Sequence, residues 1–429
     1  MARYARTSAR PMGTMAISDT EHRTMPQLQE LLTRGQRIWV AGNVNEPTTL
    51  LDQLTALPLP EQLTFIQFPL AGYNSVDFTR LSSTCRMETF FMSPALRRAD
   101  PARLDFVPMQ MRAVFDYLRQ RVDVAMVQLA RDRQGRLRLG PGTDFSGAAL
   151  AAAKIRIGEL NHSFTAPAGA PLVDADGFDL IVESERPLYE MQQPAMDDAA
   201  LAIGAQVAGL IRDGDCLQTG IGSIPAAILA ALGDHSDLGL HGGIIDDGGM
   251  ALIRAGNVNG MRKQIDCGLH ITGMALGGRE LIDWLADTPE VAFRGADHTH
   301  EISTIRKLDR FVSINSAVEV DLFGQVNAEY AGGRQISGTG GSVDFMRAAR
   351  ASRGGRSIVA MNATARDGSI SRIVPKVELV TALRTDVDLV VTEYGVAKLD
   401  GRSVAARAEA LISIAAPGFR DGLRDRMPG

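Results

Sequence analysis

From residue 34 onward, short apolar runs alternate with longer segments in which apolar residues recur every three or four positions. "RIWVAG" (37–42), "VDVAMVQLA" (122–130), "FDLIVES" (178–184), "DRFVSINSAVEV" (309–320), "SIVAMN" (357–362) and "VDLVVTEYG" (387–395) are short and rich in β-branched residues, which predicts strands. "PAAILAALGDH" (225–235) predicts a helix, with Pro225 suited to its first turn and Gly233 to its end. Strands alternating with helical patterns predict βαβ units and mainly parallel sheets, an α/β fold.

The pattern also repeats. "RGQRIWVAGNVNEPTTLLDQL" (34–54) resembles "DGDCLQTGIGSIPAAILAAL" (213–232), matching Gly42, Pro47, Leu51 and Leu54 to Gly220, Pro225, Leu229 and Leu232. "GTDFSGAALAAAKIRIGELN" (142–161) resembles "GSVDFMRAARASRGGRSIVAMN" (341–362) in the same order, through Gly142/Gly341, Phe145/Phe345, Ala148/Ala348 and Asn161/Asn362. An apolar strand-like run precedes each member of the second pair, so one supersecondary plan is used twice.

A length of 429 residues fits two domains better than one core. The polar, proline-containing stretch "SERPLYEMQQPAMDD" (184–198) predicts the boundary, giving domains 1–190 and 195–429. A net charge of −5 argues against nucleic-acid binding. No stretch approaches the roughly 18 apolar residues of a membrane helix. The three cysteines, Cys85, Cys216 and Cys267, are scattered; they read as small core residues of a protein in a reducing cytoplasm. Residues 1–23 are rich in Arg, Ser, Thr and Ala, but Asp19 and Glu21 favour a frayed extension over a transit peptide.

Two glycine-rich turns carry candidate chemistry. "QTGIGSIPAAIL" (218–229) reads strand–turn–helix, so backbone N–H groups at a helix start would meet an anion; the alternative is a plain tight turn. It is neither a full G-x-G-x-x-G nor a Walker motif. "ISGTGGSVDFMRAA" (336–349) is a second such turn, in which Gly338, Gly340 and Gly341 allow close backbone approach. Two such loops suit an extended phosphate-bearing cofactor. Arg366 would add a cation to its phosphate or stand as a surface arginine. The histidines do not suggest a metal site: His298 and His300 are two residues apart, His235 and His241 stand in different contexts, and "DHTHE" (297–301) reads as a solvated loop. No G-x-S-x-G elbow is present.

From about residue 200 onward the chain resembles the acetyl-CoA hydrolase/transferase family, which includes 4-hydroxybutyrate and succinate:acetate CoA-transferases. The resemblance rests on "GIGSIP", "SINSAVEVDLFGQVNAE", "GGRQISGTGGSVDF", "SISRIVP", "VTEYGVAKLDGRS" and "ALISIAAPGFR". It implies two similar open α/β domains of the CoA-transferase type with the active site between them. It also implies acyl-CoA and a carboxylate as small-molecule substrates, no metal, and a cytoplasmic homo-oligomer, a dimer. Carried over by residue, Gly220, Ile221, Gly222, Ser223 and Ile224 would meet the acyl-CoA, with Gly338, Gly340 and Gly341 flanking it.

In "LHGGIIDDGG" (240–249), His241, Asp247 and Gly248 match the family's loop, and its catalytic glutamate falls on Gly243. That carboxylate attacks the thioester and then carries CoA; glycine offers no such group. Asp246 and Asp247 are weak substitutes. In an extended segment Asp246 faces away from residue 243, and Asp247 matches a family aspartate with its own role. "DRQG" (132–135), Ala226-Ala227 and Asp388 also depart from the family, suggesting a changed acyl pocket. Glu319, Glu329 and Glu393 read as structural. Four readings stay open: transfer with a displaced carboxylate, altered thioester chemistry such as hydrolysis or decarboxylation, a non-catalytic CoA binder, and a misplaced loop. A positive φ at Gly243 is expected to oppose any glutamate introduced there.

Overall fold

The structure, a computed structural model, describes residues 27–192, 195–366 and 368–427. The expectation of a frayed extension over residues 1–23 lies outside them. The first sheet contains β1 (Arg37–Val40), β2 (Thr64–Gln67), β3 (Arg86–Thr89), β4 (Leu104–Phe106), β5 (Val124–Arg131), β6 (Leu137–Leu139), β7 (Ile155–Asn161) and β8 (Leu180–Ser184). Its order is β4-β3-β2-β1-β5-β7-β8, with β6 paired only to β5. All pairings along that path are parallel, and β6 alone runs antiparallel.

The second sheet contains β9 (Cys216–Gln218), β10 (Gly239–Leu240), β11 (Phe311–Asn315), β12 (Arg356–Ala360), β13 (Leu389–Thr392) and β14 (Gly395–Lys398), ordered β10-β9-β11-β12-β13-β14. The first four pairings are parallel; β14 folds back antiparallel on β13. The order β2-β1-β5-β7-β8 of the first sheet thus recurs as β10-β9-β11-β12-β13 in the second. The matched residues occupy matched places, since Gly42 follows β1 as Gly220 follows β9. Likewise the helices Ser146–Ala152 and Ser342–Ala351 lead into β7 and β12.

Strands buried on both faces explain the continuous apolar runs. One face of the first sheet packs Ile38, Val40, Leu50, Phe65 and Met126 together. The other packs Trp39, Ile66, Phe115, Ala125 and Phe145.

Three local expectations change. The helix expected over 225–235 runs Ser223–Ala230, so Pro225 is still in its first turn but the last turns are irregular. The run 309–320 divides into β11 and a separate strand, Glu319–Asp321, because the chain leaves the sheet after Asn315. Cys85 and Cys216 are buried as expected, whereas Cys267 is exposed, and all three are free thiols. Among the described residues no helix is long and apolar enough to cross a membrane.

The two halves meet through backbone. Thr143 N–H donates to Gly273 O at 2.8 Å, Ala275 N–H to Pro141 O at 2.8 Å, and Met111 N–H to Gly340 O at 3.2 Å. The Arg112 guanidinium reaches Glu301 across this junction at 2.6 Å. A side chain at Gly273 would place Cβ 1.8 Å from Asp144 Oδ1, so glycine is required for the halves to come this close.

Candidate active site at the strand switch point

In a sheet ordered 2-1-3-4-5, connections leave the first and third strands in opposite directions and open a crevice beyond their C-terminal ends. In the second half these strands are β9 and β11. Gly220 follows β9. The next turn ends at Gly222, whose φ of 112° belongs to the glycine-favoured region, and Gly222 caps Ser223–Ala230 without a side-chain bond. The first N–H groups of that helix therefore point at the crevice unsatisfied by a cap. A Cβ at Gly220 or Gly222 would meet nothing within 4 Å. At Gly220, neither backbone conformation nor neighbouring protein demands glycine.

The second turn behaves differently. A Cβ on Gly338 would lie 2.3 Å from Phe90 O, and one on Gly341 would lie 2.3 Å from His300 Nε2. Gly340 has φ 57° and accepts from Met111 N–H. These glycines let the loop press against the first half and against His300.

Gly243 is buried beside the same imidazole: its Cβ would lie 3.1 Å from His300 Cε1 and 3.3 Å from Nε2. Its φ is not positive, which corrects the expected obstacle to a side chain. Space is limiting there, not backbone conformation.

His300 itself is 1% exposed. The "DHTHE" segment is therefore no solvated loop; it forms the helix Ala296–Thr299 and then inserts His300 between Gly243 and Gly341. Five polar letters conceal this, although Ala296 and His300 at i and i+4 share one buried face. The Phe345 ring lies 4.4 Å from the imidazole, centroid to centroid. Burial pushes the His300 pKa down to about 3, so the ring is neutral.

The substitute carboxylates have other partners. Asp246 caps the helix Asp247–Arg254 by accepting from Gly249 N–H at 2.8 Å, and burial raises its pKa. Asp247 accepts from Gly278 N–H at 3.3 Å. Both line a cavity of about 370 Å³ together with Ile221, Gly222, Gly248 and Gly277. Gly243 is not among its walls. The segment is extended only over Ile244–Ile245 and turns helical at Asp247, so a simple two-residue alternation does not describe it.

Asp144 lies at the first half's equivalent crevice. It is fully buried, burial pushes its pKa up to about 7, and Oδ1 has no hydrogen-bond partner. Burial likewise brings Asp344 to about 7; its Oδ2 accepts from Arg112 N–H at 3.2 Å. Sequence reasoning singled out neither.

Donor atoms of His241, Asp266 and His298 lie within 4.8 Å of one another, so the fold gathers histidines whose sequence contexts suggested separation. His298 Nε2 donates to Asp266 at 2.9 Å. Burial first, and Lys263 next, hold the His241 pKa far down. A nearby ammonium opposes a dication, and we assign no metal to this cluster.

Arg366 stands exposed in the turn between Thr364–Ala365 and Ile370–Ser371; among the described residues its guanidinium makes no hydrogen bond or ion pair. Asp388 accepts from Ser357 N–H at 2.8 Å and pairs with Arg350 at the start of β13. That is the sheet end opposite the crevice, so Asp388 does not report a changed acyl pocket. In "DRQG", burial opposes the charge on Asp132, but bonds from Arg138 and Arg136 bring its pKa to about 2 and fix the β5–β6 turn. Glu319, Glu329 and Glu393 accept from Asn327, Gln335 and Ala363 respectively, as structural residues do.

Two parallel sheets built on one plan, joined at their crevices, define an α/β protein with its candidate site between two similar halves. Comparison with known proteins makes the assignment specific. Residues 277–427 match the acetyl-CoA hydrolase/transferase C-terminal domain. The chain is 40% identical to the 4-hydroxybutyrate coenzyme A transferase of Clostridium kluyveri over 346 residues, 79% of this chain and 81% of that one. The crystal structure of RipA from Yersinia pestis superimposes with a TM-score of 0.86 at 30% identity, over 93% of this chain and 95% of the other. A 4-hydroxybutyrate CoA-transferase from Porphyromonas gingivalis gives 0.76 at 33% identity, over 92% and 94%. The chain belongs to the acetyl-CoA hydrolase/transferase family.

Proposed function

We propose that the protein is an acyl-CoA-dependent enzyme that takes a small acyl-CoA into the crevice and transfers CoA to a carboxylate, the reaction carried in its relatives' names. The observation that carries this reading is the Gly220 turn. It opens an uncapped helix start at the switch point and keeps free space where a side chain would otherwise stand. Gly220 to Ile224 would receive the anionic part of CoA, and Gly338, Gly340 and Gly341 would border the acyl end. Arg366 lies in an exposed hairpin with nothing tying it to either turn, and takes no role here. The halves 1–190 and 195–429 each supply one wall. The three free cysteines suit a reducing cytoplasm, and a homo-oligomer follows from the resemblance alone.

A thermal-shift titration with CoA, acetyl-CoA, butyryl-CoA and succinyl-CoA tests binding, and exchange of labelled acetate into acetyl-CoA tests transfer. A raised Tm with at least one thioester is expected. No shift across the panel would remove CoA from the reading. A second reading, hydrolysis, is favoured by one observation: position 243 holds no carboxylate, and an imidazole faces it.

A further inference from the structure

His300 stands where two loops converge. Its Cε1–Nε2 edge faces Gly243, the position of the family's glutamate by resemblance, at 3.1 and 3.3 Å from the site of a Cβ. Its Nε2–Cδ2 edge faces Gly341 of the second glycine turn. Both flanking positions are glycine, so backbone and not side chains borders that edge, and His300 is 1% exposed.

The Thr299 hydroxyl has one proton and two acceptors within reach, Gly295 O at 3.2 Å and His300 Nδ1 at 2.7 Å. Donation to Gly295 O lets Oγ1 accept from Nδ1–H, the tautomer that leaves a lone pair on Nε2. Among the described residues Nε2 takes no hydrogen-bond partner. A neutral imidazole whose far nitrogen donates to an oxygen presents the lone pair that a general base uses, although burial, which pushes its pKa down to about 3, makes it a weak one.

We propose that His300 Nε2 is the catalytic base of a thioester hydrolysis in this crevice, acting at the place vacated by the carboxylate. The proposal rests on the reading that the crevice takes acyl-CoA. In the step, a water oxygen attacks the thioester carbonyl carbon while one of its protons passes to Nε2. The C–S bond breaks, and the departing CoA thiolate takes the proton from the imidazolium. Acyl-CoA and water yield CoA thiol and a carboxylic acid, which releases its own proton to solvent, and His300 returns to the neutral form. Neither an oxidant nor a metal enters the balance, and no covalent glutamyl intermediate forms.

The same geometry explains why Gly243 and His300 occur together. A carboxylate side chain at 243 would fill the space in which the water must stand.

The test measures thiol release from acetyl-CoA, butyryl-CoA and succinyl-CoA by the full chain, its His300→Gln variant and its Thr299→Val variant, with CoA-induced thermal shifts recorded for each. Wild type is expected to hydrolyse at least one thioester. His300→Gln should lose about 10²-fold or more in kcat while keeping its CoA shift. Thr299→Val keeps the imidazole but frees its tautomer, and should lose activity by a smaller factor with folding intact. Retention of wild-type turnover by His300→Gln would overturn the proposal, as would a wild type that binds CoA but hydrolyses none of the three. If His300→Gln does not fold, undiminished turnover in Thr299→Val overturns it instead. Absence of any CoA shift in the wild type refutes the acyl-CoA reading beneath it, which separates the two failures.

Discussion

Introducing glutamate at position 243 asks whether the protein lacks only a nucleophile or has built something else in its place. A Cβ there meets His300 at 3.1 and 3.3 Å, inside ordinary van der Waals contact. A loose imidazole would step aside at little cost. This one is held by Thr299 at 2.7 Å, packed on Phe345 at 4.4 Å, and backed by Gly341, leaving it nowhere to retreat. Overpacking of this kind costs about 1–3 kcal/mol. A buried carboxylate without full hydrogen bonding adds roughly 1–3 kcal/mol more. Gly243→Ala should therefore lose about 1–3 kcal/mol and Gly243→Glu about 2–6 kcal/mol, lowering Tm by roughly 2–4 °C per kcal/mol. Exchange of labelled acetate with acetyl-CoA should be no faster in the single variant than in the wild type. Combining Gly243→Glu with His300→Ala removes the obstacle, and the double variant should be more stable than the sum of the singles by about 1 kcal/mol or more. Additive losses, or wild-type stability in Gly243→Glu, would refute the steric argument. Robust exchange by Gly243→Glu alone would mean that one side chain was all the enzyme lacked. Robust exchange by the wild type would show that transfer proceeds without a carboxylate at position 243.

Gly220→Ala enters open space without backbone strain, so its Tm should match wild type while its CoA-induced shift shrinks; an unchanged shift would move the ligand away from this turn. Gly222→Ala, at φ 112°, should lose stability even without ligand, by about 1–3 kcal/mol, and an unshifted melting curve would contradict the strain. Asp144 is raised from 3.8 to about 7 by burial, so the folded state holds a proton that the unfolded chain gives up and wild-type stability falls as pH climbs through that window. Asp144→Asn removes the penalty, and its Tm advantage should be larger at pH 8 than at pH 5, by up to about 2.7 kcal/mol in stability; equal differences at both pH values would exclude the coupling. Asp246→Ala removes a helix cap and should cost about 0.5–2 kcal/mol whatever its effect on turnover, measured by thermal melts; a stability-neutral variant would return Asp246 to the list of free carboxylates.

Much of this protein was legible from order alone. Short β-branched runs became β1, β5, β11, β12 and β13 because strands buried on both faces must be apolar throughout, and the edge strand β8 followed the same pattern with less burial. The doubled pattern became two sheets with the same strand order, since equal local signals build equal units. Both glycine turns fell at strand ends leading to helices, where their chemistry was expected. What stayed hidden depends on contacts between distant parts of the chain. Gly220 and Gly341 look alike in sequence, yet one faces open space and the other the edge of a buried imidazole. Asp388 seemed to mark the pocket but belongs to the opposite end of the sheet, because neighbours in a motif need not share a strand end. His300 sat in a pentapeptide that reads as a solvated surface. Its burial and neighbours are set by Thr299, Phe345 and the loops of Gly243 and Gly341, up to 57 positions away, and only the packed fold brings these together.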